Sequence, residues 1–304
     1  MKKVVVLGSI NMDLVTLCER APRGGETLLG KEFHQIPGGK GANQAVALGK
    51  LEGNVSMLGK VGKDSMGEEL LNSMKNSGVD ISNIERSDAF TGIAQITLEE
   101  IGENRIIVVP GANYDVDKKY INTHLDAIEN CDLLVAQLEI PLETVKYAFE
   151  IAKKAGKTTI LNPAPAVQLD EEIIKNSDYI IPNETELEVL TGISTDTMDG
   201  VEKAANTLLD KGVKGLIVTL GSKGALYISK TEKKLVPAHK VKAVDTTAAG
   251  DSFIGGLVRG MSEENSLEDS IALGTKVAAI AVTRLGAQTS VPTMAEVLEF
   301  KGGN

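Results

Sequence analysis

Tryptophan is absent from the sequence, and cysteine, histidine and the other aromatics are scarce: two Cys, three His, five Tyr and five Phe. Each shortage excludes something. Cys18 and Cys131 lie far apart and in no Cys-x-x-Cys pair, so no disulfide framework is expected and a reducing cytoplasm is the natural compartment. His34, His124 and His239 also stand at no ligand spacing, which argues against a zinc site. No Gly-x-Ser-x-Gly elbow supports a Ser-His-Asp hydrolase. No apolar run approaches the roughly 20 residues of a membrane-spanning helix. The short apolar start behind Lys2 and Lys3 is too brief for a signal peptide. Positive charge is in deficit as well. With 32 Lys and Arg against 42 Asp and Glu, the formal net charge of −10 argues against a nucleic-acid partner. An anionic substrate then needs a local positive device rather than a global field.

What is present suits one large α/β domain with a small appendage, or two modest domains: 304 residues, 42% hydrophobic and 24% charged. Short apolar runs predict buried strands at residues 3–7, 55–59, 132–138, 158–161, 179–181 and 216–220. Helical patterns fall between them at 41–50, 65–76, 142–155, 184–190 and 201–211, with Gly78 and Gly156 as stops. This alternation predicts a largely parallel sheet with helices on both faces. Two stretches break the rhythm. Residues 12–36 hold Pro22, Gly24, Gly25 and Gly30 among β-prone pieces, and residues 92–98 and 105–109 flank a polar turn like the arms of a hairpin. Both read as one excursion, a small β-sheet that covers a site, and residues 225–244 as a second excursion. The last third predicts helices at 249–261 and 267–284 with small-residue faces, then a short helix after Pro292.

Chemistry concentrates after the strands. In Val244-Asp245-Thr246-Thr247-Ala248-Ala249-Gly250-Asp251, a tight turn opens a helix with an Asp in its first turn. Backbone N–H groups of residues 248–251 would be free helix-start donors, an anion site beside a carboxylate able to accept a hydroxyl proton. A plain helix cap accounts for the same residues. Pro37-Gly38-Gly39-Lys40-Gly41-Ala42-Asn43-Gln44 lets the backbone approach a ligand, with Lys40 and Asn43 as donors, or merely starts a helix. In Gly8-Ser9-Ile10-Asn11-Met12-Asp13, the alternating Asn11 and Asp13 can grip a vicinal diol, or form a turn. Asn183 and Glu186 open a helix and suit hydrated Mg²⁺ and phosphate, or a capping pair. Thr219-Leu220-Gly221-Ser222-Lys223-Gly224 can line a nucleotide through amides and hydroxyls. Gly25 to Lys31 has P-loop spacing, but Glu32 replaces the required Ser or Thr and no apolar strand precedes it, so that reading is rejected.

Together with Asn162-Pro163-Ala164-Pro165-Ala166 and residues 284–292, these segments resemble the ribokinase family of carbohydrate kinases, over nearly the whole chain from Val5 to Pro292. The resemblance implies a three-layer α/β sandwich with a mostly parallel central sheet. It implies one kinase domain over residues 1–304, with a β lid from about 12–37 and 92–111 that pairs two subunits into a homodimer. It places Asn11, Met12, Asp13, Gly39, Lys40, Gly41, Ala42, Asn43 and Glu139 around a sugar. ATP would lie along Asn183, Thr219, Leu220, Gly221, Ser222, Lys223, Gly224, Gly250 and Thr275. Asp251 is similar to the family's catalytic base, with Ala248, Ala249 and Gly250 completing the anion hole. A water on Mg²⁺ would meet Glu186. K⁺ would be held by Asp245, Thr247, Ala281, Arg284, Gly286 and Ser290, largely through backbone oxygens. The activity so implied is transfer of the ATP γ-phosphoryl group to the 5-hydroxyl of D-ribose. Deoxyribose, fructose, ketodeoxygluconate or a nucleoside are alternative acceptors, and a silent sugar sensor is the alternative of another class. Ala248 stands where the family commonly has Gly, which is tolerable if that backbone is helical. Thr275 replaces a common His or Asn, and the shortage of aromatics leaves little to stack on adenine.

Overall fold

In the first strand Val4 and Val6 face one side of the sheet, Val5 and Leu7 face the other, and all four are fully buried. A strand that is apolar on both faces requires cover on both. The computed structural model describes residues 1–302. Its first part runs β1 (Val4–Leu7), β2 (Asn11–Cys18), β3 (Glu32–Gly38), α1 (Lys40–Lys50), β4 (Val55–Gly62), α2 (Ser65–Asn76), β5 (Ile84–Ser87), β6 (Gly92–Glu99) and β7 (Asn104–Val109). The middle runs α3 (Lys118–Thr123), α4 (Leu125–Glu129), β8 (Leu133–Ala136), α5 (Leu142–Lys154), β9 (Thr158–Leu161), α6 (Glu171–Lys175), β10 (Tyr179–Ile180) and α7 (Glu184–Thr191). The chain closes with α8 (Met198–Asp210), β11 (Gly215–Thr219), β12 (Ala225–Ser229), β13 (Lys233–Val236), α9 (Ala249–Ser262), α10 (Leu267–Ala281) and α11 (Met294–Glu299).

The large sheet has the order β13-β12-β11-β10-β9-β8-β1-β4-β5, parallel from β11 to β5. Helices α3 to α8 cover one face, while α1, α2, α9 and α10 cover the other. This is the three-layer sandwich. Leu7, Ala136 and Leu161 share one register, so the segments after β1, β8 and β9 leave the sheet at one level. In an open parallel sheet that edge is where ligands bind.

The small sheet, β3-β2-β6-β7, stands apart as the lid. Both breaks in the β/α rhythm contribute to it, and its central pair β2–β6 is parallel while the outer pairs are antiparallel. The 225–244 stretch differs from expectation. β12 and β13 extend the edge of the main sheet, because Leu226 and Ile228 enter one core and Ala225 and Val236 the other. A hairpin apolar on both faces has to lie in the sheet plane. The helix expected to run to residue 284 stops at Ala281, and β10 keeps only two residues.

Candidate active site

At the sheet edge the Ser9 hydroxyl donates to Glu139 Oε2, which also accepts the backbone N–H of Lys40 at 3.1 Å. This ties the loop after β1 and the loop after β8 to the first turn of α1. Gly39, the residue before that helix, has φ 87° and ψ 129°, and a Cβ there would fall 2.6 Å from the Asn11 nitrogen. Only glycine satisfies both conditions. The Asp13 carboxylate lies against Gly38, where a Cβ would collide with it.

Asp251, in the first turn of α9, is 8% exposed. Its Oδ2 accepts the Asn43 side-chain amide at 3.1 Å and its Oδ1 accepts that of Gln44 at 2.9 Å. Burial raises its pKa, and Lys40, Gln44 and Asn43 oppose that rise. Burial also pushes Asp13 up to about 7, with Glu139 and Asp251 adding to the effect and Lys40 opposing it. For Lys40, burial works to lower the pKa, but Asp251, Glu139, Glu186 and Asp13 together leave it raised. One ammonium is therefore shared among four carboxyl groups. Such a site repels phosphate unless backbone amides and a cation compensate.

The turn before α9 supplies amides with a twist. Ala248 sits at φ 56° and ψ 18°, in the left-handed region, so the helical backbone expected there is not what forms. An L-residue in that region costs roughly 1–2 kcal/mol. Ala249 N–H donates back to Thr246 O at 3.2 Å, so it is not free as expected, whereas the Gly250 and Asp251 N–H groups have no protein acceptor among the described residues. They face a cavity of about 200 Å³ lined also by Lys40, Asn162, Asn183, Glu186 and Thr219. Asn183 and Glu186 form a reciprocal capping box: the Asn183 side chain accepts Glu186 N–H at 2.7 Å and Glu186 Oε2 accepts Asn183 N–H at 2.9 Å. Burial raises the Glu186 pKa against the Asn183 hydrogen bond and Lys40.

Some expected contact residues turn their side chains elsewhere. Met12 and Ala42 are in the core beneath the site, and Leu220 is in the opposite core, so these three can offer only backbone to a ligand. Asn11 is 3% exposed, and its side-chain oxygen accepts the Asn113 amide at 2.6 Å. Thr275 donates its hydroxyl to Ala272 O within α10. Gly221, Ser222 and Lys223 are exposed in a short turn after β11, and Gly224 closes it.

The residues expected around a monovalent cation gather below the turn. Asp245 Oδ1 accepts both the N–H and the hydroxyl of Thr247, and its Oδ2 accepts Gly286 N–H at 2.9 Å. Partial burial works to raise the Asp245 pKa, but these bonds hold it below the ordinary carboxylate value. Arg284 turns its guanidinium to Glu296 at 2.7 Å, and the buried Ser290 hydroxyl donates to Ala287 O. An ionised carboxylate with neighbouring carbonyls and a hydroxyl is an all-oxygen donor set, which fits a hard cation. The cavity carboxylate Glu186 likewise fits a water on Mg²⁺ that arrives with phosphate.

Five amide side chains were not singled out in the sequence: Gln44, Asn113, Gln137, Asn162 and Gln288. Gln44 donates to Asn162 Oδ1 as well as to Asp251, and accepts from Gln137 Nε2 at 2.6 Å. Gln288 Nε2 donates to Asn43 Oδ1 at 3.2 Å. The signal for three of them is proximity: Gln44 follows Asn43, Gln137 lies near the end of the predicted strand 132–138, and Asn162 follows the one at 158–161.

Comparison with known proteins gives a concordant answer. Residues 1–294 match the profile described as pfkB family carbohydrate kinase. The chain is 46% identical to a ribokinase of Schizosaccharomyces pombe, over 98% of this chain and 97% of that one. It is 39% identical to a deoxyribokinase of Salmonella typhi, over 98% of each. Among solved structures, a ribokinase of Thermotoga maritima superposes with a TM-score of 0.91 at 41% identity, covering 98% of this chain and 99% of that one. An Arabidopsis thaliana ribokinase complexed with ribose and ATP gives 0.92 at 31% identity, covering 98% of each. The chain belongs to the pfkB family of carbohydrate kinases.

Proposed function

We propose that the protein transfers the γ-phosphoryl group of ATP to the 5-hydroxyl of D-ribose. It is a phosphotransferase of the sugar-kinase class, and several of its relatives at 41–46% identity are ribokinases. The observation that carries the mechanism is the meeting of Asp251 with Asn43, under the charge of Lys40, beside two free helix-start amides.

In this reading Asn11, Asp13, Gly39–Asn43 and Glu139 hold the sugar, and Asp251 accepts the proton of its 5-hydroxyl. The sugar oxygen forms a bond to the γ-phosphorus, and the bond from phosphorus to the bridging oxygen breaks, its electron pair leaving with ADP. Lys40 and the Gly250 and Asp251 amides face the charge that spreads over the phosphoryl oxygens. ATP runs on past Asn183, the Thr219–Gly224 turn and Thr275. Mg²⁺ near Glu186 would neutralise phosphate charge. K⁺ held by Asp245, Ser290 and the backbone oxygens of Thr247, Ala281, Arg284 and Gly286 would steady the turn that presents the amides. The lid excludes water, which would otherwise compete as acceptor.

The edge strand β7 of the lid exposes Ile106, Ile107 and Val108 in a row, which supports a homodimer joined through the lids. No helix of the described residues is long and apolar enough to cross a membrane. Cys18 and Cys131 are both free and buried, which suits a cytoplasmic setting.

The test is ADP release measured across ribose, deoxyribose, fructose and ketodeoxygluconate, for the wild type and Asp251→Asn. Ribose is expected to give the highest kcat/KM. The variant is expected to bind sugar nearly normally while kcat falls by roughly 10²-fold or more. A higher kcat/KM on another sugar reassigns the substrate, and unchanged turnover removes Asp251 from its role.

A further inference from the structure

The two carboxylate oxygens of Asp251 are not equivalent. Oδ1 accepts from Gln44 Nε2, and the other hydrogen of that amide goes to Asn162 Oδ1 at 3.1 Å. The opposite end of Gln44, its Oε1, accepts from Gln137 Nε2. Gln44 and Gln137 are both wholly buried. Were the Gln44 amide reversed, its oxygen would face two other oxygens and its NH₂ would face the NH₂ of Gln137. Its orientation is thus fixed by its partners. Room for this chain exists because Gly8 has no side chain: a Cβ there would overlap the Gln137 amide oxygen, which has no hydrogen-bond partner. A buried amide that leaves its oxygen unpaired is retained against a cost.

We infer that Gln44, locked by Gln137, is a positioning residue that reserves Oδ1 of Asp251 as a structural oxygen, so that the sugar proton is taken by Oδ2. This rests on the reading of Asp251 as the base. Oδ2 is the oxygen that meets Asn43, on the side of the glycine-rich turn, and Asn43 is itself held by Gln288. When the hydroxyl reacts, its O–H bond breaks and an Oδ2–H bond forms, while Gln44 keeps the plane of the carboxyl group from turning. The charged groups that face Asp251 are Lys40 on α1, Asp13 on β2, Glu139 after β8 and Glu186 on α7. None of them contacts Oδ1 in place of Gln44.

The experiment compares wild type with Gln44→Met and Gln137→Met, both close in volume to glutamine, by thermal unfolding and by kcat against pH. Gln44 stabilises the ionised carboxylate, so its loss raises the Asp251 pKa and moves the acid limb of the profile to higher pH. For Gln44→Met, kcat near neutrality is expected to fall by about tenfold or more with the KM for sugar little changed. Gln137→Met is expected to shift the limb in the same direction by a smaller amount. Should Gln44→Met fail to fold, Gln137→Met alone decides the matter. A folded variant with the wild-type acid limb and kcat overturns the inference. If Asp251→Asn retains turnover, the reading of the base fails instead, and the two failures are distinguishable.

Discussion

Asn43 Nδ2 stands 3.1 Å from Asp251 Oδ2, although 208 residues separate the two in the chain. The contact joins the first turn of α1 to the first turn of α9, so the glycine-rich segment and the small-residue turn form one site. An Asp buried there without donors would be held neutral by desolvation. The amides of Asn43 and Gln44 and the charge of Lys40 counter that tendency.

With Asp13 as a sugar contact, sugar affinity is expected to depend on pH near neutrality. Burial pushes the folded pKa of Asp13 up to about 7, well above the ordinary carboxylate value. The ionised carboxylate is the stronger acceptor for sugar hydroxyls. Ribose binding is therefore expected to weaken as the pH falls through 7, and to release protons in that range. Isothermal titration in buffers of different ionisation enthalpy measures both, and Asp13→Asn should abolish the dependence. Stability runs the other way: the raised value means that stability from this group is present at low pH and declines between about pH 4 and 7.

Ala248 carries removable strain. Its φ of 56° favours glycine, and Ala248→Gly removes the left-handed penalty while adding freedom to the unfolded chain. The expected net is a gain of about 0.5–1 kcal/mol. Denaturant melts of the two proteins check the sign, and a loss of stability would show that the Ala248 methyl contributes packing that outweighs the strain.

The lid edge predicts the oligomeric state. Ile107 is 66% exposed on β7, a strand with an unpaired outer edge. Ile107→Lys is expected to convert a dimer into a monomer in light scattering after size exclusion, with the fold intact by circular dichroism and the ribose KM raised several-fold.

Asp245 predicts the response to salt. Wild-type kcat is expected to rise as KCl is added at constant ionic strength. Asp245→Asn should flatten that curve, since the neutral amide loses the charge that an oxygen site offers a cation. A curve unaltered by the substitution would place the cation elsewhere.

Much of this architecture is legible in the sequence, because buried parallel strands write themselves as short apolar runs. Residues 3–7 and 158–161 are examples, and Gly78 and Gly156 mark the ends of two of the intervening helices. The hairpin of β6 and β7 is visible in its turn. Its parallel pairing with β2 is not, since side-chain pattern carries no information about which distant strand lies alongside. The second hairpin, 225–236, reads as an excursion in the sequence because alternation alone does not reveal whether both its faces are covered. In the site, charged and glycine-rich segments announced themselves through residue type and position. Gln44, Gln137, Asn113 and Gln288 did not, because an uncharged amide has no periodicity and its importance lies in which end meets which partner. The left-handed backbone at Ala248 was hidden for a related reason: alanine predicts helix, and only the surrounding turn overrides it.

Strand β2 belongs to the lid, yet it begins at Asn11 and carries Asp13, while Glu139 and Asp251 belong to the body. In the proposed reading the sugar contacts are therefore divided between the small sheet and the body. If this sheet swings outward as a lid, half of the handhold leaves in the same motion, and an unenclosed sugar is expected to be held only loosely. Tight retention and shelter from solvent would then arrive together.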